Sequence, residues 1–263
     1  MSMQNRRKPK PYGKPAQKSK ESHPKEAQVS PEEIRLNKYI ANAGICSRRE
    51  ADKLIADGAI KVNGKVIQEL GFRVKAKDVV KYKGQQLNPE KKQYILLNKP
   101  KGFITTTSDP KGRRTVMELV ENACSEQIFP VGRLDRTTTG LLLFTNDGEL
   151  AKKLTHPTNK IKKVYQVSLD KAISKADFLA IVDGLTLDDG AVKVDDLAIV
   201  SPDEKVLGIE IHLGKNRIVR RIFEHLGYRV EKLDRVMFGN LTKKDLPRGK
   251  WRELTEKEIR WIK

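Results

Sequence analysis

Residues 132–148 read GRLDRTTTGLLLFTNDG, and this stretch limits what the chain can become more than any other. Leu141, Leu142, Leu143 and Phe144 form an unbroken apolar run of the length that a buried strand needs. A polar loop leads into it: Asp135 stands between Arg133 and Arg136, and Thr137, Thr138, Thr139 and Gly140 follow. Positive charge on both sides favours a carboxylate anion, which is one way to prepare a nucleophile. A structural ion pair in a loop would have the same sequence. On these residues alone both readings stay open.

The rest of the chain narrows the setting. Its 263 residues suit one large domain or two modest ones, and 38% hydrophobic content supports a proper core. A formal charge of +19 draws polyanions, with nucleic acid the first candidate and an anionic membrane surface the second. No apolar run approaches the roughly 20 residues that cross a bilayer. The N-terminus carries no hydrophobic segment of the secretory kind. Cys46 and Cys124 are too few for a disulfide framework or a thiolate metal site. These features point to a cytoplasmic protein that meets nucleic acid and not a membrane.

Residues 1–30 are rich in Lys, Pro, Gln and Ser, with almost no large apolar side chains, and read as a disordered basic tail. Order is expected from residue 31. Leu36, Tyr39, Ile40 and Ala43 recur at helical spacing, and Gly44 is placed to end that helix. Ser47 and Glu50 make a capping box for a second helix with Ala51, Leu54 and Ile55 on its apolar face. Asn63-Gly64 between two short apolar stretches predicts a type I′ hairpin. This order of parts, RLNKYIANAGICSRREADKLIADGAIKVNGKVI over residues 35–67 and on to about 87, resembles the S4 RNA-binding module. The resemblance implies RNA held mainly by shape and phosphate. The expected contacts are Arg35, Lys38, Ser47, Arg48, Arg49, Lys53, Lys61, Asn63 and Lys65.

Residues 88–92 read as a linker, and 93–263 as a second, larger domain. Its expected elements are a strand at 94–97, a basic turn at 98–102, a short strand at 103–106 and a short helix capped by Thr115 and Glu118. The alternating KVYQVSL of 163–169 predicts a half-buried strand on which Tyr165 reads as a core aromatic. A helix begun by Ser174, a strand near 206–213, an amphipathic helix over 217–225, a strand-like 236–238 and a last helix capped by Thr255 and Glu258 complete the pattern. Arg220 and Arg221 border the apolar stripe of the 217–225 helix, so either can run along the packed surface and place its guanidinium at a cleft. Few βαβ repeats are visible. The fold class is therefore α+β: a small S4-type unit, then a mixed and largely antiparallel sheet flanked by helices.

GRLDRTTTGLLLFTNDG, KVYQV (163–167) and GKNRIVRRIFEHLG (214–227) occur in the order seen in RsuA-type pseudouridine synthases, with KPKGFITT (99–106) and LPRGKWRELTEKEI (246–259) similar to that family's flanking motifs. The resemblance covers residue 35 to the C-terminus and is closest to the branch acting on large-subunit (23S) ribosomal RNA. It implies that Asp135 is the catalytic aspartate, that Tyr165 stacks on the target base, and that Arg220 pairs with Asp135. Arg133, Arg136, Lys163, Lys215, Asn216, Arg217 and Arg221 are the further RNA contacts expected. Two positions depart from the family pattern: Leu213 stands where Glu is common before GKN, and Ile218 where Gln is common before VRR.

Turning uridine into pseudouridine breaks the N1 glycosidic bond and joins C5 to the ribose. No group is imported and no electrons leave, so neither a cofactor nor a metal is expected. A carboxylate can attack C1′ or take a proton from C2′, and the sequence does not choose between these routes. The implied partner is ribosomal RNA, met by a monomer. A catalytically silent S4-type RNA-binding protein is the alternative, but it has no reason to combine Asp135, Tyr165 and Arg220. An aspartate-nucleophile phosphohydrolase is excluded because Thr137 stands where its second carboxylate would be.

Overall fold

A computed structural model describes residues 33–263, so the tail read over 1–30 lies outside the described residues. The first unit runs β1 (Ile34–Arg35), α1 (Leu36–Asn42), α2 (Arg48–Ala56), β2 (Ile60–Val62), β3 (Lys65–Val66), β4 (Arg73–Val74), β5 (Val80–Tyr82) and β6 (Gln85–Gln86). Four of its strands form a small sheet in the order β3-β2-β5-β6, and β1 pairs with β4. Leu36 and Ile40 of α1 and Ala51 and Ile55 of α2 close over Ile60, Val62, Val74 and Val80. The Ser47–Glu50 capping box is formed in both directions. Asn63 and Gly64 both take positive φ (51° and 83°), as a type I′ turn requires.

The second unit contains β7 (Tyr94–Lys99), β8 (Phe129–Pro130), β9 (Thr139–Thr145), α3 (Gly148–Thr155), β10 (Lys163–Leu169), α4 (Lys175–Asp183), β11 (Leu185–Leu187), β12 (Gly190–Val192), β13 (Asp196–Ile199), β14 (Val206–Ile211), α5 (Ile218–His225), β15 (Val230–Phe238), β16 (Leu241–Thr242), β17 (Trp251–Glu253) and α6 (Glu256–Ile262). Its main sheet has the order β13-β14-β10-β15-β9-β7-β17, with β8 added to β9 and β16 to β15. Every pairing is antiparallel except β9 with β15, so the sheet is mixed and largely antiparallel.

The apolar run 141–144 is buried on both faces. Leu142 and Phe144 join a core with Tyr165, Ile209, Ile222 and Phe223, while Leu141 and Leu143 pack with Leu150 and Leu154 of α3 and Ile262 of α6. Two halves of the sheet meet at the β9–β15 pair, which spans only Thr139↔Asp234 and Arg235↔Gly140. Gly140 has φ +107°, and an added Cβ would lie 2.5 Å from the Arg235 nitrogen and closer still to its carbonyl oxygen. Only glycine permits the strands to approach this closely. Thr139 Oγ1 donates to Asp234 Oδ1 (2.8 Å), and Arg235 Nε donates to the Leu141 carbonyl (2.8 Å), fastening the joint on both sides of the glycine.

Three expectations need correction. Residues 103–106 form no strand; Ile104 makes one isolated bridge, to Thr115. The Thr115–Glu118 capping box forms, but it opens a 3-10 turn, Val116–Leu119, that goes no further. The strand expected at 236–238 begins at Val230, because Glu231, Lys232, Asp234 and Arg235 mask its apolar alternation.

Candidate active site

Residues 131–138 carry Asp135 from β8 into β9, and the loop is fixed through its backbone. Lys99, the last residue of β7, is fully buried (0% exposed). Its Nζ donates to the carbonyls of Thr138 (2.8 Å), Asp135 (3.0 Å) and Pro100 (3.2 Å). Burial pushes the Lys99 ammonium down to about 8; the Asp135 charge opposes that fall and Arg248 adds to it. Thr105 Oγ1 donates to the Leu134 carbonyl (2.7 Å), and the amide of Gly102 donates to the Arg136 carbonyl (2.9 Å). Every one of these bonds holds main chain, so the Asp135 side chain is left 37% exposed.

That carboxylate opens on a cleft of about 450 Å³, which Tyr165 and Lys163 of β10, Arg235 and Phe238 of β15, Thr138, and residues 213–217 also line. Arg217, the residue before α5, adopts the left-handed region (φ 47°, ψ 28°). Such a conformation is costly for a residue with a side chain and tends to mark functional positions. Its Nη1 reaches 3.8 Å from Asp135 Oδ2, while Nη2 pairs with Glu224 at 3.1 Å.

Arg220 is placed differently from what the resemblance implies. It is buried, with Nη1 donating to the Val230 carbonyl (2.8 Å) and Nη2 to Thr137 Oγ1 (3.3 Å), and its Nε has no partner. Burial, with Arg217 nearby, lowers its pKa, and the Asp135 charge acts the other way. Among the described residues the cation that pairs with Asp135 is Arg217, and Arg220 holds the loop two residues further on.

Residues 93–225 match the RNA pseudouridylate synthase family model, and residues 34–80 match the S4 domain. This chain belongs to the RNA pseudouridine synthase family. It is 42% identical to "Ribosomal large subunit pseudouridine synthase B" of Bacillus subtilis, over 87% of this chain and 95% of that one. It is 40% identical to an "Uncharacterized RNA pseudouridine synthase" of Aquifex aeolicus (86% and 92%). It is 38% identical to the "Dual-specificity RNA pseudouridine synthase RluF" of Escherichia coli (86% and 77%). A solved structure, "Crystal structure of pseudouridylate synthase", superposes with a TM-score of 0.63 at 28% identity, covering 88% of this chain and all of that one. The enzyme is therefore an isomerase, built as an S4 domain followed by a synthase domain.

The other residues singled out in the sequence divide by what already occupies them. In the synthase's S4 unit, Arg35, Arg48, Arg49, Lys53, Lys61 and Lys65 are exposed. Ser47 and Asn63 spend their side chains on the fold, the first capping α2 and the second bonding Asp78 and the Val79 amide. Lys38 pairs with Glu149 in the first turn of α3. Arg221 forks onto Asp189 (2.7 and 2.9 Å), which Lys215 also holds. Arg133, Arg136, Lys163, Asn216 and Arg217 line the cleft.

Leu213 and Ile218, the two departures from the family pattern, also line it, so the synthase's cleft wall is apolar there. Sequence reasoning missed Lys99 and Arg235. The sequence signals for Lys99 are its place two residues after the apolar strand residues 95–97 and at the head of KPKGFITT; Arg235 has none, since its place depends on a partner strand far away in the chain.

Proposed function

We propose that this synthase converts a uridine of large-subunit (23S) ribosomal RNA to pseudouridine in the cytoplasm, with Asp135 as the reacting carboxylate. The observation that carries the residue assignment is the Lys99 clamp, which fixes the Asp135 main chain while leaving its carboxylate open to a cleft shared with Tyr165. The name of the Bacillus subtilis relative supports the choice of ribosomal subunit.

A stacked uridine cannot reach a carboxylate at the floor of a cleft, so the nucleotide must flip out, at a cost of a few kcal/mol. Stacking on Tyr165, worth about 1–3 kcal/mol, offsets part of that cost. Asp135 then either attacks C1′ or removes the C2′ proton. The N1–C1′ bond breaks, the uracil turns on the tyrosine face and C5 bonds to C1′, as the Asp135–C1′ bond breaks on the first route or as C2′ regains its proton on the second; C5 then gives up its proton and N1 ends protonated. Arg217 supplies positive charge at Asp135, and Arg220 positions the loop through Thr137.

Asp135→Asn tests the assignment. Pseudouridine formation in ribosomal RNA should vanish while RNA affinity stays within about threefold of the parent, a difference of less than 1 kcal/mol. Retained isomerisation would overturn the role given to Asp135.

A further inference from the structure

Two of the cations lining the cleft, Arg235 and Lys163, are buried or half-buried and have no part in the reaction as written. Arg235 is 3% exposed, and its guanidinium lies over the Phe238 ring with Cζ 4.8 Å from the centroid. Nε is committed to the Leu141 carbonyl, but Nη2 is buried with no hydrogen-bond partner. Arg235 is the cross-strand neighbour of Tyr165, so this cation sits beside the proposed stacking platform. Lys163, two residues before the tyrosine on the same face of β10, is half-buried and donates to the His212 carbonyl at 2.7 Å. An ammonium has three N–H groups, so two remain to be used. Thr138 Oγ1, on the wall of the same cleft, is also buried and unpartnered.

Among the described residues no carboxylate forms an ion pair with Arg235 or Lys163. Burial lowers the Lys163 pKa to about 8, the Arg235 charge adds to the fall, and Asp195 opposes it. Two neighbouring cations without a counter-charge, and a buried donor without an acceptor, are costly unless a ligand completes them. A uracil carbonyl could accept a hydrogen bond here but would leave the doubled positive charge unbalanced. The anion that RNA carries is its phosphodiester.

We propose that Arg235 and Lys163 form a subsite for the phosphate next to the target uridine, with the Thr138 hydroxyl as a third donor. The proposal rests on reading the cleft as the site of isomerisation. Its use in the reaction is mechanical. Once the N1–C1′ bond has broken, stacking holds the uracil but no longer holds the sugar. A gripped phosphate keeps C1′ where C5 can reach it, and no covalent step is added.

The test uses the full chain carrying Asp135→Asn, titrated calorimetrically with uridine, uridine 5′-monophosphate, uridine 3′-monophosphate, the matching cytidine compounds and inorganic phosphate. One uridine monophosphate should bind at least about tenfold tighter than uridine, a gain of about 1.4 kcal/mol, and which of the two does so identifies the flanking phosphate. Inorganic phosphate should compete with that monophosphate and not with uridine. Adding Lys163→Gln should erase the gap, and Lys163→Arg should restore it. Lys163 is the site of choice because Arg235 also fastens the sheet joint. Equal binding of uridine and both monophosphates, or a gap that survives Lys163→Gln, would overturn the subsite. A phosphate gap of the same size for cytidine compounds, with no preference for uracil, would leave the subsite standing and sink the uridine reading.

Discussion

The Lys99 ammonium donates to the main-chain carbonyl of Asp135 at 3.0 Å, and so the buried lysine grips the residue without touching its carboxylate. The carboxylate itself is left to the ion pair with Arg217 at 3.8 Å. A backbone grip fixes the position of the residue and leaves its carboxylate open to the cleft. Lys99→Met keeps the volume but leaves the carbonyls of Asp135, Thr138 and Pro100 without this donor. Small displacements of a reacting group can cost on the order of 100-fold in rate. The expected result is a kcat lower by at least about tenfold with RNA affinity little changed. Equal losses in kcat and affinity would mean that Lys99 merely holds the fold together.

Arg217 and Arg220 should separate activity from stability. Arg217→Gly relieves a left-handed conformation and removes the cation paired with the Asp135 carboxylate. Stability should stay within about 1 kcal/mol of the parent while turnover falls. Arg220→Ala unpairs the Val230 carbonyl and the Thr137 hydroxyl, so turnover and stability should fall together, the latter by about 1–3 kcal/mol. Urea midpoints beside single-turnover rates distinguish the two. A stable, inactive Arg220→Ala protein would count against its place as a loop support.

The pH dependence of stability has a defined sign. Lys163 has a folded pKa of about 8 against an ordinary 10.5. Below pH 8 both the folded and the unfolded chain hold the proton, and the burial penalty is constant. Between about 8 and 10.5 the unfolded chain binds more protons, so rising pH favours the fold. Lys163→Gln lacks the penalty, so its stability advantage over the parent should be larger at pH 7 than at pH 9.5. Urea midpoints at the two values check this, and an advantage that does not shrink would contradict the burial assigned to Lys163.

Gly140→Ala should be severely destabilising, because the new methyl meets Arg235 backbone on a strand that cannot retreat. A loss above about 3 kcal/mol is expected, in the range of overpacking combined with backbone strain. Gly102→Ala is the control. It shares a positive φ (+94°) but has no atom within 4 Å of the added Cβ, so it should lose about 1 kcal/mol. Similar midpoints for the two variants would show that strain, and not the close approach, governs Gly140.

Features written in neighbouring residues were legible in the sequence. The capping boxes at Ser47, Thr115 and Thr255 and the Asn63-Gly64 turn depend on side chains three residues apart or less, and all four form. The length of the element behind a cap was less legible: Thr115 opens a single 3-10 turn that stops at Leu119. Asp135, Tyr165 and Lys163 were visible because motif residues happen to line one cleft. Arg235 and Lys99 were hidden because their burial is created by β9, to which each is joined across the sheet. Arg220, the arginine expected to pair with Asp135, lies a turn of helix beyond Arg217, which is left-handed just before α5 begins and comes within 3.8 Å of that carboxylate.

The narrow joint between Gly140 and Arg235 also sets an order in time. The S4 unit closes on contacts among residues 34–87, so it can fold while the remainder is still being synthesised. The cleft cannot, because Thr139 waits for Asp234, a partner 95 residues further along the chain. An emerging chain thus acquires the means to hold RNA well before the means to alter it. Its chemistry is switched on by the arrival of β15.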